Sequence, residues 1–133
     1  MPSSALFAPD TKLAGTQLLV VDDEEDVLEL LRELLTMFGA TVVVAASAEE
    51  AFARLEQHVP DALISDIQMP GGTGLDLMRR VRALPAESGG GVPAIALSGA
   101  SSADQALAAG FHVLVTKPVR AQKLVDTIRA ILH

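Results

Sequence analysis

A chain of 133 residues with a formal charge of −7 and a pI near 4.8 is long enough for one domain with its own core, and it lacks the basic patch that a nucleic-acid surface needs. It contains no cysteine, so disulfides and thiolate metal sites are excluded, as in a reducing cytoplasm. No apolar run approaches the ~18 residues of a membrane span, and residues 1–15 read as a loose tail or linker ahead of a domain over 16–133.

From Gln17 the pattern is strand then helix, five times over. Leu18-Leu19-Val20-Val21 is an unbroken apolar run, as in a strand covered on both faces, and the acids Asp22 to Asp26 follow it. Val27, Leu28, Leu31, Leu34, Leu35 and Phe38 then recur at helical spacing until Gly39 ends the helix. Thr41 to Ala45 is β-branched and predicts a second strand, and Ser47-Ala48-Glu49-Glu50 has the spacing of a capping box opening the next helix. Ala62 to Ser65 predicts strand three, ending on Asp66 and stopped by Pro70, Gly71 and Gly72. A third helix follows with Leu75, Leu77, Met78, Val81 and Leu84 inward and Arg79, Arg80 and Arg82 in water. Pro85 to Gly91 reads as a flexible loop. Ala94 to Leu97 is strand four, stopping on Ser98-Gly99, and Ser101 to Asp104 can cap a short Ala-rich helix that Gly110 closes. Val113 to Val115 is strand five, ending on Thr116-Lys117-Pro118, and Leu124, Val125, Ile128, Ile131 and Leu132 line a last helix.

Strands and helices alternating in this way predict an α/β fold, a doubly wound parallel sheet of the flavodoxin-like (βα)5 type with strand order 2-1-3-4-5. In such a sheet the C-terminal strand tips meet in one crevice. Strands one, three, four and five bring Asp22 and Asp23, Asp66, Ser98 and Lys117 there. Singly, each has an ordinary use: acids favour a helix N-terminus, and Ser98 is a turn former. Together they form a charged cluster whose repulsion a hard cation relieves, and oxygen ligands with room for water favour Mg²⁺.

These residues resemble the receiver domain of two-component response regulators. The resemblance covers Gln17 to His133 and rests on Val21-Asp22-Asp23, on Asp66-x-x-Met69-Pro70-x-x-x-Gly74, on Ser98-Gly99 and on Lys117-Pro118, with Asp66 placed 43 residues after Asp23. It implies that Asp66 is the phosphoacceptor, that Asp22, Asp23, Asp66 and the Gln68 backbone carbonyl hold Mg²⁺, and that Ser98 and Lys117 bind the phosphoryl group. It also implies a cis Lys117–Pro118 bond. The expected donor is the phosphohistidine of a sensor histidine kinase or a histidine phosphotransfer domain, since His58, His112 and His133 lie away from the strand tips. The expected readout is a downstream protein target, with no nucleic acid, no membrane and at most a weak homodimer. The domain is then a cytoplasmic phosphoacceptor rather than an enzyme. A pseudo-receiver that binds partners without phosphorylation is the alternative.

The sequence departs from the family in two places. Leu114 stands three residues before Lys117, where the family usually has an aromatic or histidine switch residue, and the Ser98 to Lys117 segment is short by about one helical turn, ~3.6 residues. A stunted fourth helix and a weaker phosphorylation-dependent change are expected. No output domain is recognisable up to His133, so the chain reads as a stand-alone receiver or as one cut from a longer protein, and its wording around Asp66 and Ser98 resembles receivers of hybrid histidine kinases.

Overall fold

The computed structural model describes residues 11–68, 74–99 and 103–132. Five strands, β1 (Gln17–Val21), β2 (Thr41–Ala45), β3 (Ala62–Asp66), β4 (Ala94–Ser98) and β5 (Val113–Thr116), form one parallel sheet in the order β2-β1-β3-β4-β5. The crossovers are α1 (Glu25–Met37), α2 (Ala48–Gln57), α3 (Gly74–Arg82), α4 (Ala103–Ala109) and, after β5, α5 (Ala121–Ile131). The expected α/β order is therefore the observed one.

Both sheet faces are covered, which is why β3 and β4 are buried at every position. On one face Leu18, Val20, Ile64, Ile95 and Leu97 pack with Leu28, Leu31 and Leu35 of α1 and with Leu124, Val125 and Ile128 of α5. On the other, Leu19, Val21, Leu63 and Ala96 meet α2, α3 and α4 through Ala51, Leu55, Leu77, Met78, Val81 and Ala106. The helix ends follow local rules. Glu25 and Asp26 sit in the first turn of α1, where the helix dipole favours acids. Ser47 Oγ accepts the Glu50 N–H at 3.1 Å, while Glu50 Oε1 accepts the Ala46 N–H at 2.7 Å, one residue before the reciprocal partner of a capping box.

Three local readings change. Within the segment read as a tail, Leu13 is fully buried among Leu18, Leu35 and Ala40, and its N–H donates to Phe38 O at 2.8 Å. An apolar side chain beside the open end of α1 gains more from burial than from water, so Leu13 packs with the sheet rather than hanging loose. Leu13→Ala is expected to cost about 2–3 kcal/mol in urea unfolding, whereas Leu30→Ala, at a side chain 62% exposed, stays within about 0.5 kcal/mol.

Arg82 is only partly in water. Its Nε and Nη2 donate to Gly110 O at 2.9 and 2.7 Å and its Nη1 to Gly90 O at 3.0 Å, so it ties the end of α3 to the turn before β5. Gly110 lies at φ +116°, and a Cβ there would fall 2.6 Å from Arg82 Cγ, so glycine is what lets the guanidinium lie across the turn. The 85–91 loop is partly ordered by a 3₁₀ turn over Ala86–Ser88. The Met69–Pro70–Gly71–Gly72 stretch and Ser101 lie outside the described residues.

Candidate functional site

Register places the acids. Val21 pairs with Ser65 across β1 and β3, so the next residues, Asp22 and Asp66, leave adjacent strands level with one another. One ligand oxygen from each of Asp22, Asp23 and Asp66 lies within 4.8 Å of the others. Asp22 is fully buried, Asp66 is 7% exposed and Asp23 faces solvent. β4 and β5 bring the other two residues. Ser98 is buried, and its carbonyl accepts the Lys117 N–H at 2.7 Å, which holds the start of the Lys117–Pro118 turn against the end of β4. The Lys117–Pro118 bond is cis.

Lys117 Nζ stands 3.3 Å from Asp66 Oδ2 and 3.6 Å from Asp22 Oδ2. Burial pulls its pKa down, but the Asp66 and Asp22 carboxylates outweigh that and hold it above the usual lysine range. For Asp22 burial wins: its pKa is raised, with Asp66 and Asp23 adding to the rise and the Glu24 N–H and Lys117 opposing it. Glu24 donates that N–H to Asp22 Oδ1 at 2.9 Å, and Gln68 donates its N–H to Asp66 Oδ1 at 3.2 Å. Each acid is thus aimed by the backbone two residues further on.

Among the described residues Asp22 Oδ2 has no hydrogen-bond partner, because 3.6 Å to Lys117 is ion-pair range only. A buried carboxylate oxygen without a hydrogen bond, facing two more carboxylates, is costly, and an all-oxygen set of this kind suits a hard divalent cation. The residues fit Mg²⁺ on chemistry alone.

Sequence reasoning found the four strand tips but missed what packs behind them. Gly74, at the start of α3, donates its N–H to Ile67 O at 2.7 Å, and a Cβ on it would sit 2.2 Å from Asp66 O. Ser65 Oγ donates to the same Asp66 carbonyl at 2.9 Å. The third helix therefore begins in contact with the backbone of Asp66. Gly74 appeared in the motif, and close approach of two backbones is the physical reason for a glycine there. Leu114 is not part of the acid cluster. It pairs with Ala96 and packs partly buried against the core that contains Phe111 and Ala106, and it borders a hollow of about 220 Å³ with Thr116, Pro118, Arg120 and Lys123. The fourth helix is short, with seven residues.

The profile of the response regulator receiver domain family matches residues 18–129. This chain belongs to that family. It is 42% identical over 120 residues to a 14.6 kDa protein of Leptolyngbya boryana, covering 88% of this chain and 90% of that one. It is 35% identical over 130 residues to the virulence sensor protein BvgS of Bordetella pertussis, covering 92% of this receiver domain but 10% of the sensor. Among solved structures, the chemotaxis protein CheY4 of Vibrio cholerae superposes with a TM-score of 0.82 at 26% identity, over 89% of this chain and 99% of that one. The receiver fold is thus shared with proteins of very different length, and the chain spans about a tenth of the sensor it resembles. Among the described residues no helix is long and apolar enough to cross a membrane.

Proposed function

We propose that this receiver domain takes a phosphoryl group onto Asp66 from a phosphohistidine of a sensor histidine kinase or histidine phosphotransfer domain, in the cytoplasm, and passes the signal to a downstream protein. The observation that supports this best is the pairing of Asp66 Oδ2 with Lys117 Nζ at 3.3 Å inside a three-carboxylate cluster at the strand tips. Asp66 is the nucleophile: one of its oxygens bonds to phosphorus as the phosphorus–nitrogen bond to the donor imidazole breaks, and the ring nitrogen keeps the electron pair. The Gln68 N–H on Oδ1 orients the carboxylate, so that the other oxygen is the one presented.

Lys117, already level with Asp66 and Asp22, can follow the charge from the carboxylate to a phosphoryl oxygen, and the Ser98 hydroxyl can donate to another. Asp22, Asp23, Asp66 and the Gln68 carbonyl would hold Mg²⁺, which when bound neutralises the charge on the phosphoryl oxygens. The domain is an acceptor and does not turn over a substrate of its own. Ser98 and Lys117 are joined by backbone, so a displacement of Ser98 toward the phosphoryl group is carried to the start of the β5–α5 connection. Leu114, packed into the core, offers no ring to swing, so the change is expected to be small around residues 103–114.

Intact mass after incubation with acetyl phosphate and Mg²⁺ tests the reading. One phosphoryl group is expected on the native chain and none on Asp66→Asn or after chelation of Mg²⁺. Lack of any labelling on the native chain would favour a pseudo-receiver instead.

A further inference from the structure

At the end of the sheet away from the acids, β5 starts level with Ile95, one residue into β4. The step before that sets Ala94 beside His112, which precedes the strand. The His112 N–H donates to Ala94 O at 2.9 Å. The Ala94 N–H donates to the His112 ring, at Nδ1, at 3.0 Å, where a continued ladder would have supplied a carbonyl. Arg82 Nη2 stands 3.4 Å from the same ring nitrogen, while its Nε and Nη2 are given to Gly110 O and its Nη1 to Gly90 O. One imidazole lone pair is thus met by a backbone donor and by a cation.

This arrangement sets the state of the ring. Nδ1 accepts only while it carries no proton, so the neutral ring holds its proton on Nε2. A second proton, added to the Nδ1 lone pair, leaves the Ala94 N–H without its acceptor and puts an imidazolium beside a guanidinium. Solvent can deliver that proton, because His112 is exposed. The other charged side chains of the elements around it are Glu87 of the 3₁₀ turn, Asp104 in the first turn of α4, Asp61 ahead of β3 and Arg129 in the last turn of α5. Asp61 is turned to the Gln17 N–H at 2.7 Å. Among the described residues Arg82 is the charged group that acts on the ring, and burial first, then Arg82, holds the His112 pKa below its ordinary 6.5.

We propose that His112 and Arg82 form an acid-sensitive latch, in which the neutral ring ties the start of β4 to the turn before β5 and the protonated ring releases Ala94 and repels Arg82. What the latch holds reaches the strand tips. Arg82 ends α3, and Gly74, which begins that helix, packs against the backbone of Asp66. The folded chain takes up the His112 proton less readily than the unfolded chain does. Above pH 6.5 the ring is neutral in both states and the latch contributes in full. As pH falls from there through the folded value the contribution is lost, and it stays lost below.

NMR titration of the full chain, with urea unfolding between about pH 5 and pH 8, tests this. The neutral ring is expected to carry its proton on Nε2 and to titrate below 6.5, and the Ala94 amide to shift and to lose protection with the same midpoint. His112→Asn sets an amide oxygen where Nδ1 stood. It is expected to keep the Ala94 bond, to match the native chain above pH 6.5 and to lose the part of the fall toward acid that His112 supplies. His58 and His133 are common to both chains and cancel in the difference. Arg82→Gln is expected to move the His112 midpoint upward. A ring that titrates at or above 6.5, a neutral-form proton on Nδ1, an Ala94 amide indifferent to the titration, or native and His112→Asn stabilities that run parallel across the whole range would overturn the proposal. Asp66→Asn keeps the latch, so this result and the phosphorylation result stand or fall separately.

Discussion

Replacing Gly74 by alanine is expected to destabilise the domain by about 3 kcal/mol and to slow phosphorylation of Asp66 in the same variant. The new methyl group would meet Asp66 O at 2.2 Å and Ile67 Cα at 3.0 Å. Both are backbone atoms, at the tip of a strand buried on every residue, so they cannot swing aside as a flexible side chain would. The start of α3 has to move, which strains the 2.7 Å bond from the Gly74 N–H to Ile67 O and shifts the carbonyl on which Ser65 is seated. Gly91 supplies the control. Nothing lies within 4 Å of a Cβ there and its φ is not positive, so Gly91→Ala should be neutral or stabilising by less than about 1 kcal/mol. Urea unfolding of the two variants side by side reads the difference, and equal costs would show that the close approach at Asp66 is not what demands glycine.

Asp22→Asn is expected to act in opposite directions on stability and on cation binding. Burial raises the Asp22 pKa above its ordinary 3.8, so the folded chain holds that proton more tightly than the unfolded chain does. Below pH 3.8 both states are protonated and Asp22 adds no cost. As pH rises toward the folded value the cost of ionising it grows, and it stays constant above. Removing the charge should therefore stabilise the Mg²⁺-free chain by about 1 kcal/mol at neutral pH, with the gain vanishing in acid. Lys117 keeps Asp66 as its partner at 3.3 Å, so the substitution does not strand a cation. Added Mg²⁺ reverses the order. The native chain gains about 2.7 kcal/mol at a hundredfold excess over Kd, and Asp22→Asn gains little. Thermal unfolding of both chains with and without Mg²⁺, at neutral and acid pH, measures the difference in each condition. A variant less stable than the native chain at neutral pH without Mg²⁺ would contradict the burial argument.

The strand tips were legible because local pattern and topology carry them. An apolar run that ends on Asp66, and another that ends on Asp22, need only a parallel sheet of the expected order to become neighbours, and 2-1-3-4-5, one of the common doubly wound orders, is the one observed. Leu13 and Arg82 were illegible for the opposite reason. Leu13 is an isolated apolar residue in a polar stretch, and its burial depends on the gap between the end of α1 and β1. Arg82 sits at the polar end of an amphipathic pattern, and its partners, the carbonyls of Gly90 and Gly110, come from loops 8 and 28 residues away.

Periodicity and residue type along the chain were enough to decide five strands, five helices and the four strand tips that make the site, since each depends on neighbours in sequence or on rules common to parallel sheets. Two things depended on the folded state. The raised Asp22 pKa follows from its burial, and the requirement for glycine at position 74 follows from the distance between two backbones. Each is a property of space between segments far apart in the chain, where packing decides and no local pattern is left to read.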